Sequence, residues 1–99
     1  MTATLRCGAG ASADERLDVA LEAALAAAAA QLGAAPREAD LAVVFASGAY
    51  GADVRPAFEG LADLVGARTV IGTTAEAVLC NGAEHEQGSA VAVWLARLP

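Results

Sequence analysis

The stretch Gly72-Thr73-Thr74-Ala75-Glu76-Ala77 has the residue types best suited to chemistry in this chain of 99 residues. The apolar run Thr69-Val70-Ile71 stops at a glycine, and two hydroxyls, backbone amides and a carboxylate follow. Such a set suits a small polar ligand carrying an ammonium or carboxylate group. The plainer reading is that Thr73 and Thr74 continue a strand and Glu76 is solvated, and spacing alone leaves both open. A second segment, Ser47-Gly48-Ala49-Tyr50-Gly51-Ala52-Asp53, also follows an apolar run and offers a hydroxyl, a phenol and a carboxylate. Tyr50, bracketed by glycines, either lies on the surface or forms a lid over a ligand. Ser47, Tyr50 and Asp53 would then face Gly72, Thr73, Thr74 and Glu76 across one site.

Other constellations carry less. Gly8-x-Gly10-x-x-Ala13 approaches the dinucleotide fingerprint, in which a tight turn presents amides to a pyrophosphate at a helix N-terminus. The acid that should hold a ribose is missing after the next strand, and Asp14 and Glu15 would repel phosphate. The alternative is a glycine-rich strand end packed closely on its helix. No lysine exists to complete a Walker loop. Cys80 with His85 as base, or Glu76, would serve a small enzyme; a buried structural thiol is the plainer account of Cys80. Glu84-His85-Glu86 reads as a solvated acidic turn, and Cys7, Cys80 and His85 show no metal-ligand spacing. No catalytic residue, metal or cofactor is assigned.

Composition narrows the setting. Twelve acids face six bases, all arginine, for a net charge of -6, which disfavours nucleic acid as a partner. Of the 57% hydrophobic residues, 28 are alanines, so the core is modest. Two distant cysteines do not make a disulfide scaffold, and a reducing cytoplasm is the simplest location. The apolar window from Leu17 to Ala35 contains Asp18, Glu22 and Gln31 and reads as a helix of a soluble protein, not a membrane span.

The elements that must position these groups follow from periodicity. Thr2 to Arg6 has β character, with small residues Cys7 to Ser12 after it. Leu17, Leu21, Ala24, Leu25, Ala28 and Leu32 make one apolar stripe, so Glu15 to Leu32 is a helix. Ser12 or Asp14 is its cap and Gly33 its stop. Leu41 to Ser47 is a continuous apolar run, expected of a strand covered on both faces. Val54 to Val65 is a second helix, with Asp53 as N-cap and Gly66 as stop. Thr69 to Thr74 is a strand, Ala77 to Asn81 a short one, and Asn81-Gly82 a hairpin turn pair. Ser89 to Leu98 alternates as a last strand. The expected fold is one α/β domain over residues 1–99, of β-α-β-α-β-β type. Its sheet should be mainly parallel with an antiparallel C-terminal strand, and its helices packed on the sheet. In such a sheet ligands sit beyond the carboxyl ends of the parallel strands, where both polar segments fall.

Leu41-Ala42-Val43-Val44-Phe45-Ala46-Ser47, a helix, and then Thr69-Val70-Ile71-Gly72-Thr73-Thr74-Ala75-Glu76-Ala77-Val78-Leu79 resemble the N-terminal part of a FIST domain. Asn81 to Ala90, the closing Ala96-Arg97-Leu98-Pro99, and the glycine-rich opening before an alanine-rich helix fit the same pattern, so the resemblance covers essentially the whole chain. Thr73 stands where the family commonly has Cys, and Ala77 where Gly is common. The resemblance implies an intracellular sensory module of bacterial signal transduction that binds small ligands such as amino acids. It also implies a longer full module, of which these residues would be the opening part. The expected partners are then a small-molecule ligand, the remaining FIST sequence or a signalling partner, and a second copy through an exposed sheet edge.

Overall fold

The computed structural model describes residues 5–47, 50–51, 54–66, 69–75, 78–80, 83–85 and 89–98; for 73–75, 78–80 and 83–85 the description is of the backbone. The chain runs β1 (Arg6–Ser12), α1 (Leu17–Leu32), a 3-10 turn (Pro36–Glu38), β2 (Leu41–Ser47), α2 (Val54–Leu64), β3 (Thr69–Ala75), β4 (Val78–Cys80), β5 (Ala83–His85) and β6 (Val91–Arg97).

The architecture is α/β, and the sheet is mixed. Its order is β1-β6-β2-β3, with β4 and β5 paired separately. β6 is antiparallel to both neighbours, and only β2 and β3 form a parallel pair. The expectation of a mainly parallel sheet is corrected here. The last strand inserts between β1 and β2, so the three strands that run in one direction are not all neighbours. That pairing joins the two ends of the chain and has no local sequence signal.

A second correction concerns β1. It spans Arg6–Ser12, so the small residues expected after the strand are the strand. The reason lies in α1. A Cβ on Gly8 would meet the Ala28 carbonyl oxygen and the Leu32 amide nitrogen; one on Gly10 would meet the Ala24 carbonyl oxygen and the Ala28 amide nitrogen. Glycine at both positions lets helix backbone rest on strand backbone.

Register and side-chain alternation divide the sheet into two faces. Gly10, Val93, Val44 and Gly72 form one row across it. α1 sits over Gly10 at one end of this row. At the other end a Cβ on Gly72 would run into the ring of Phe58 in α2. Both helices therefore cover the same face, and Val44, Val91, Val93 and Leu95 are the largest fully buried side chains beneath them. The opposite face carries Cys7, Ala9 and Ala11 of β1, Ala92, Trp94 and Ala96 of β6, Leu41, Val43 and Phe45 of β2, and Ile71 of β3. No helix lies on it among the described residues. β4 approaches β1, β6 and β2.

The ends of α1 are fixed by backbone contacts as much as by caps. Arg16 is the N-cap and makes no side-chain cap bond. Asp14 accepts the Arg16 amide at 2.8 Å, so the carboxylate orders the turn before the helix. Gly33 closes the helix in the left-handed region at φ 76°, and its amide reaches the Ala29 carbonyl. The Arg6 guanidinium donates to the carbonyls of Leu32 and Gly33 at 2.8 and 2.9 Å, satisfying acceptors the helix end leaves open.

Candidate functional site

The strands β1, β2 and β3 share one direction, so their carboxyl ends fall on one side of the sheet. Ser12, Ser47 and Ala75 mark those ends. Two hydrogen bonds hold this end together. Tyr50 is buried and its hydroxyl donates to the Asp14 carbonyl at 2.6 Å, which fastens the segment after β2 to the turn after β1. Ser47 is also buried; its hydroxyl accepts the Ala90 amide at 3.0 Å, while its own amide donates to the Ala90 carbonyl at 2.8 Å. That pair locks the end of β2 to the start of β6. Gly51, at φ 61°, makes the turn that follows Tyr50, a conformation glycine adopts without strain.

The environment of Tyr50 shifts its acidity. Burial pushes the phenol above its ordinary value and the Asp14 carboxylate adds to that, while a hydrogen bond with the Ser89 side chain pulls the other way. A phenol so placed stays protonated at neutral pH and acts as a hydrogen-bond donor. Both hydroxyls expected to face a ligand, those of Ser47 and Tyr50, thus have protein partners.

The residues after β3 are placed in part. Gly72 pairs with Val44, Thr73 with Phe45 and Thr74 with Ala46, so the two threonines do continue β3. Gly72 is also the seat of the Phe58 ring. Asp53 and Glu76 lie outside the described residues, as does the Asn81-Gly82 pair, although β4 and β5 run antiparallel on either side of that pair. Cys80 stands opposite Ala83 and His85 opposite Val78, so the two are not register partners. Gly8 and Gly10 lie inside β1 against the later turns of α1, which gives their spacing a packing role.

A groove of about 420 Å³ opens between the helices, lined by Leu21, Leu25, Leu61 and Leu64, with Asp18 and Glu22 beside them. Among the described residues, none of those singled out as ligand contacts lines it. Its sequence signal is the α1 stripe, in which Leu21 and Leu25 stand four residues apart. Asp14 and Ser89, the partners of Tyr50, had no signal either, because each is defined by a contact distant in sequence.

Among the described residues no cluster of three His, Cys, Asp or Glu side chains could hold a metal ion, and no helix is long and apolar enough to cross a membrane. No family model and no curated protein matches the chain.

Proposed function

We propose that this chain is a non-enzymatic, small-ligand-binding sensory domain, similar to the opening part of a FIST domain and acting in the cytoplasm. The observation that carries the reading is the shared end of β1, β2 and β3, where the connections after β1 and β2 are fastened by Tyr50 and Ser47. Ligands of open α/β sheets bind at such ends. In this reading the hydroxyls of Thr73 and Thr74, the backbone at Gly72 and the carboxylate of Glu76 hold the ligand, an amino acid being the simplest molecule to match them. Ser47 and Tyr50 position the neighbouring segments and do not touch the ligand, and Asp53 completes the wall. The output passes to the rest of a longer FIST sequence or to a signalling partner.

The test is a proton–nitrogen correlation spectrum of the chain with and without pooled amino acids. Amide peaks of residues 72–76 should move on addition, and Thr74→Val or Glu76→Gln should weaken that response while leaving the remaining spectrum in place. Peaks that stay still with every amino acid, or an affinity unchanged in both variants, would remove the proposal.

A further inference from the structure

We infer that the groove between α1 and α2 is a further ligand site, and that it takes a small amphipathic amine, with an apolar chain on its leucines and one ammonium at Glu22. The groove follows from where the helices are seated. α1 rests over Gly10 in β1, and the Phe58 ring of α2 rests over Gly72 in β3. These strands are the two ends of the sheet order β1-β6-β2-β3. Three strand spacings separate the seats, about 14 Å, whereas helices in direct contact lie about 8–10 Å apart. The helices therefore do not close over the middle of the sheet, and a cleft of about 420 Å³ stays open between them. Small-molecule sites have volumes of about 300–1,000 Å³.

The lining sets the apolar part of the occupant. Leu21, Leu25 and Leu61 are buried and make the deep part of the groove, whereas Leu64, 63% exposed, stands at its mouth. On α2 the wall is cut away at Gly60, where a Cβ would meet no heavy atom beyond its own helix within 4 Å among the described residues. A glycine inside a helix lowers the stability of that helix, and here no close approach of another element requires it. Its effect is to keep the groove wide.

Charge selects an amine. Asp18 and Glu22, one turn apart on α1, are the charged residues of the lining, and no base joins them. Asp18 is paired with Arg16 at 2.9 Å, while Glu22 has no ion-pair partner among the described residues. One free carboxylate beside an apolar cleft matches one ammonium on an apolar chain, and it disfavours fatty acids and other anions. Asp18 to Leu25 spans two helical turns, about 10 Å, which is the reach of a short alkyl chain. Amino acids, the ligands proposed for the strand ends, carry a carboxylate and fit this groove less well.

n-Octylamine, protonated at neutral pH, is the probe. It is titrated into the intact chain and followed by proton–carbon correlation of the leucine methyls. Those of Leu21, Leu25, Leu61 and Leu64 should move saturably, in roughly the millimolar range, while the amides of residues 72–76 stay in place. Octanoate, the anion of the same length, should bind about threefold more weakly or worse, and Glu22→Gln should weaken octylamine about threefold, the modest change an exposed ion pair supports. Gly60→Leu should fill the groove and abolish the methyl shifts with an unchanged circular dichroism spectrum. Glu22 is exposed, so its variant and octanoate keep the test decisive if Gly60→Leu unfolds. Leucine methyls that do not move, octanoate binding as tightly as octylamine, or shifts that persist in folded Gly60→Leu would each overturn the inference. The strand-end proposal is read at residues 72–76 with amino acids, so either site can fail without the other.

Discussion

The two faces of one sheet differ in how they were made ready for contact. On the helix side, closeness is achieved by removing side chains: Gly8 and Gly10 let α1 backbone approach β1, and Gly72 makes room for Phe58. On the other side nothing is removed for a helix, and aromatic and branched residues stand partly uncovered. The same seven-residue strand, Leu41–Ser47, contributes Val44 to the sealed side and the partly exposed Phe45 to the helix-free one. An apolar run therefore announces two apolar faces without saying that only one of them carries helices among the described residues.

That contrast predicts unequal responses to like substitutions. The largest effect belongs to Gly10→Val, which drives a side chain into the α1 backbone and should cost about 4 kcal/mol or more, enough to abolish a cooperative urea transition in so small a domain. Ala9→Val, one residue away on the helix-free face, where Ala9 is only half-buried, should change stability by less than about 1 kcal/mol. Similar losses at the two positions would mean that α1 does not rest on β1 as described.

Truncation of large side chains should show the same asymmetry on a smaller scale. Leu95→Ala empties a fully buried site and should cost about 3 kcal/mol. Ile71→Ala, at a half-exposed site on the other face, should cost under about 1 kcal/mol in dilute solution. Chemical denaturation of the pair measures the difference directly.

The smallest expected change is at the strand ends, where neither face governs. Tyr50→Phe removes one hydrogen bond to the Asp14 carbonyl and should cost about 1 kcal/mol. The folded phenol has a raised pKa, so its contribution is complete below the unfolded value of about 10 and is lost as pH climbs through the raised folded value. Stability should thus fall on the alkaline side in the parent chain, and this step should be missing in Tyr50→Phe. Tyr50 is the only tyrosine, so phenolate absorbance follows the titration without overlap.

What was legible in the sequence was local. The stripe of α1 and its stop at Gly33 follow from spacing and from the need for a left-handed residue. β2, α2 and β6 follow from their periodicities within a residue or two. The limits of β1 were not legible, because glycine in a strand reads as a loop until a helix backbone is seen lying on it. Nor was the place of β6, whose pairing with β1 joins residues at opposite ends of the chain. The partners of Ser47 and Tyr50 were hidden for the same reason: Ala90 and Asp14 lie 43 and 36 residues away. Residue type showed that these side chains form hydrogen bonds; only the fold showed with which atoms.

The seating of α1 backbone on β1 backbone is the central claim, and Gly8 and Gly10 carry it. Urea denaturation of Gly8→Ala is the most direct measurement, because the added methyl meets the Ala28 carbonyl oxygen and the Leu32 amide nitrogen. It should cost about 2 kcal/mol or more. A variant as stable as the parent chain would contradict the account.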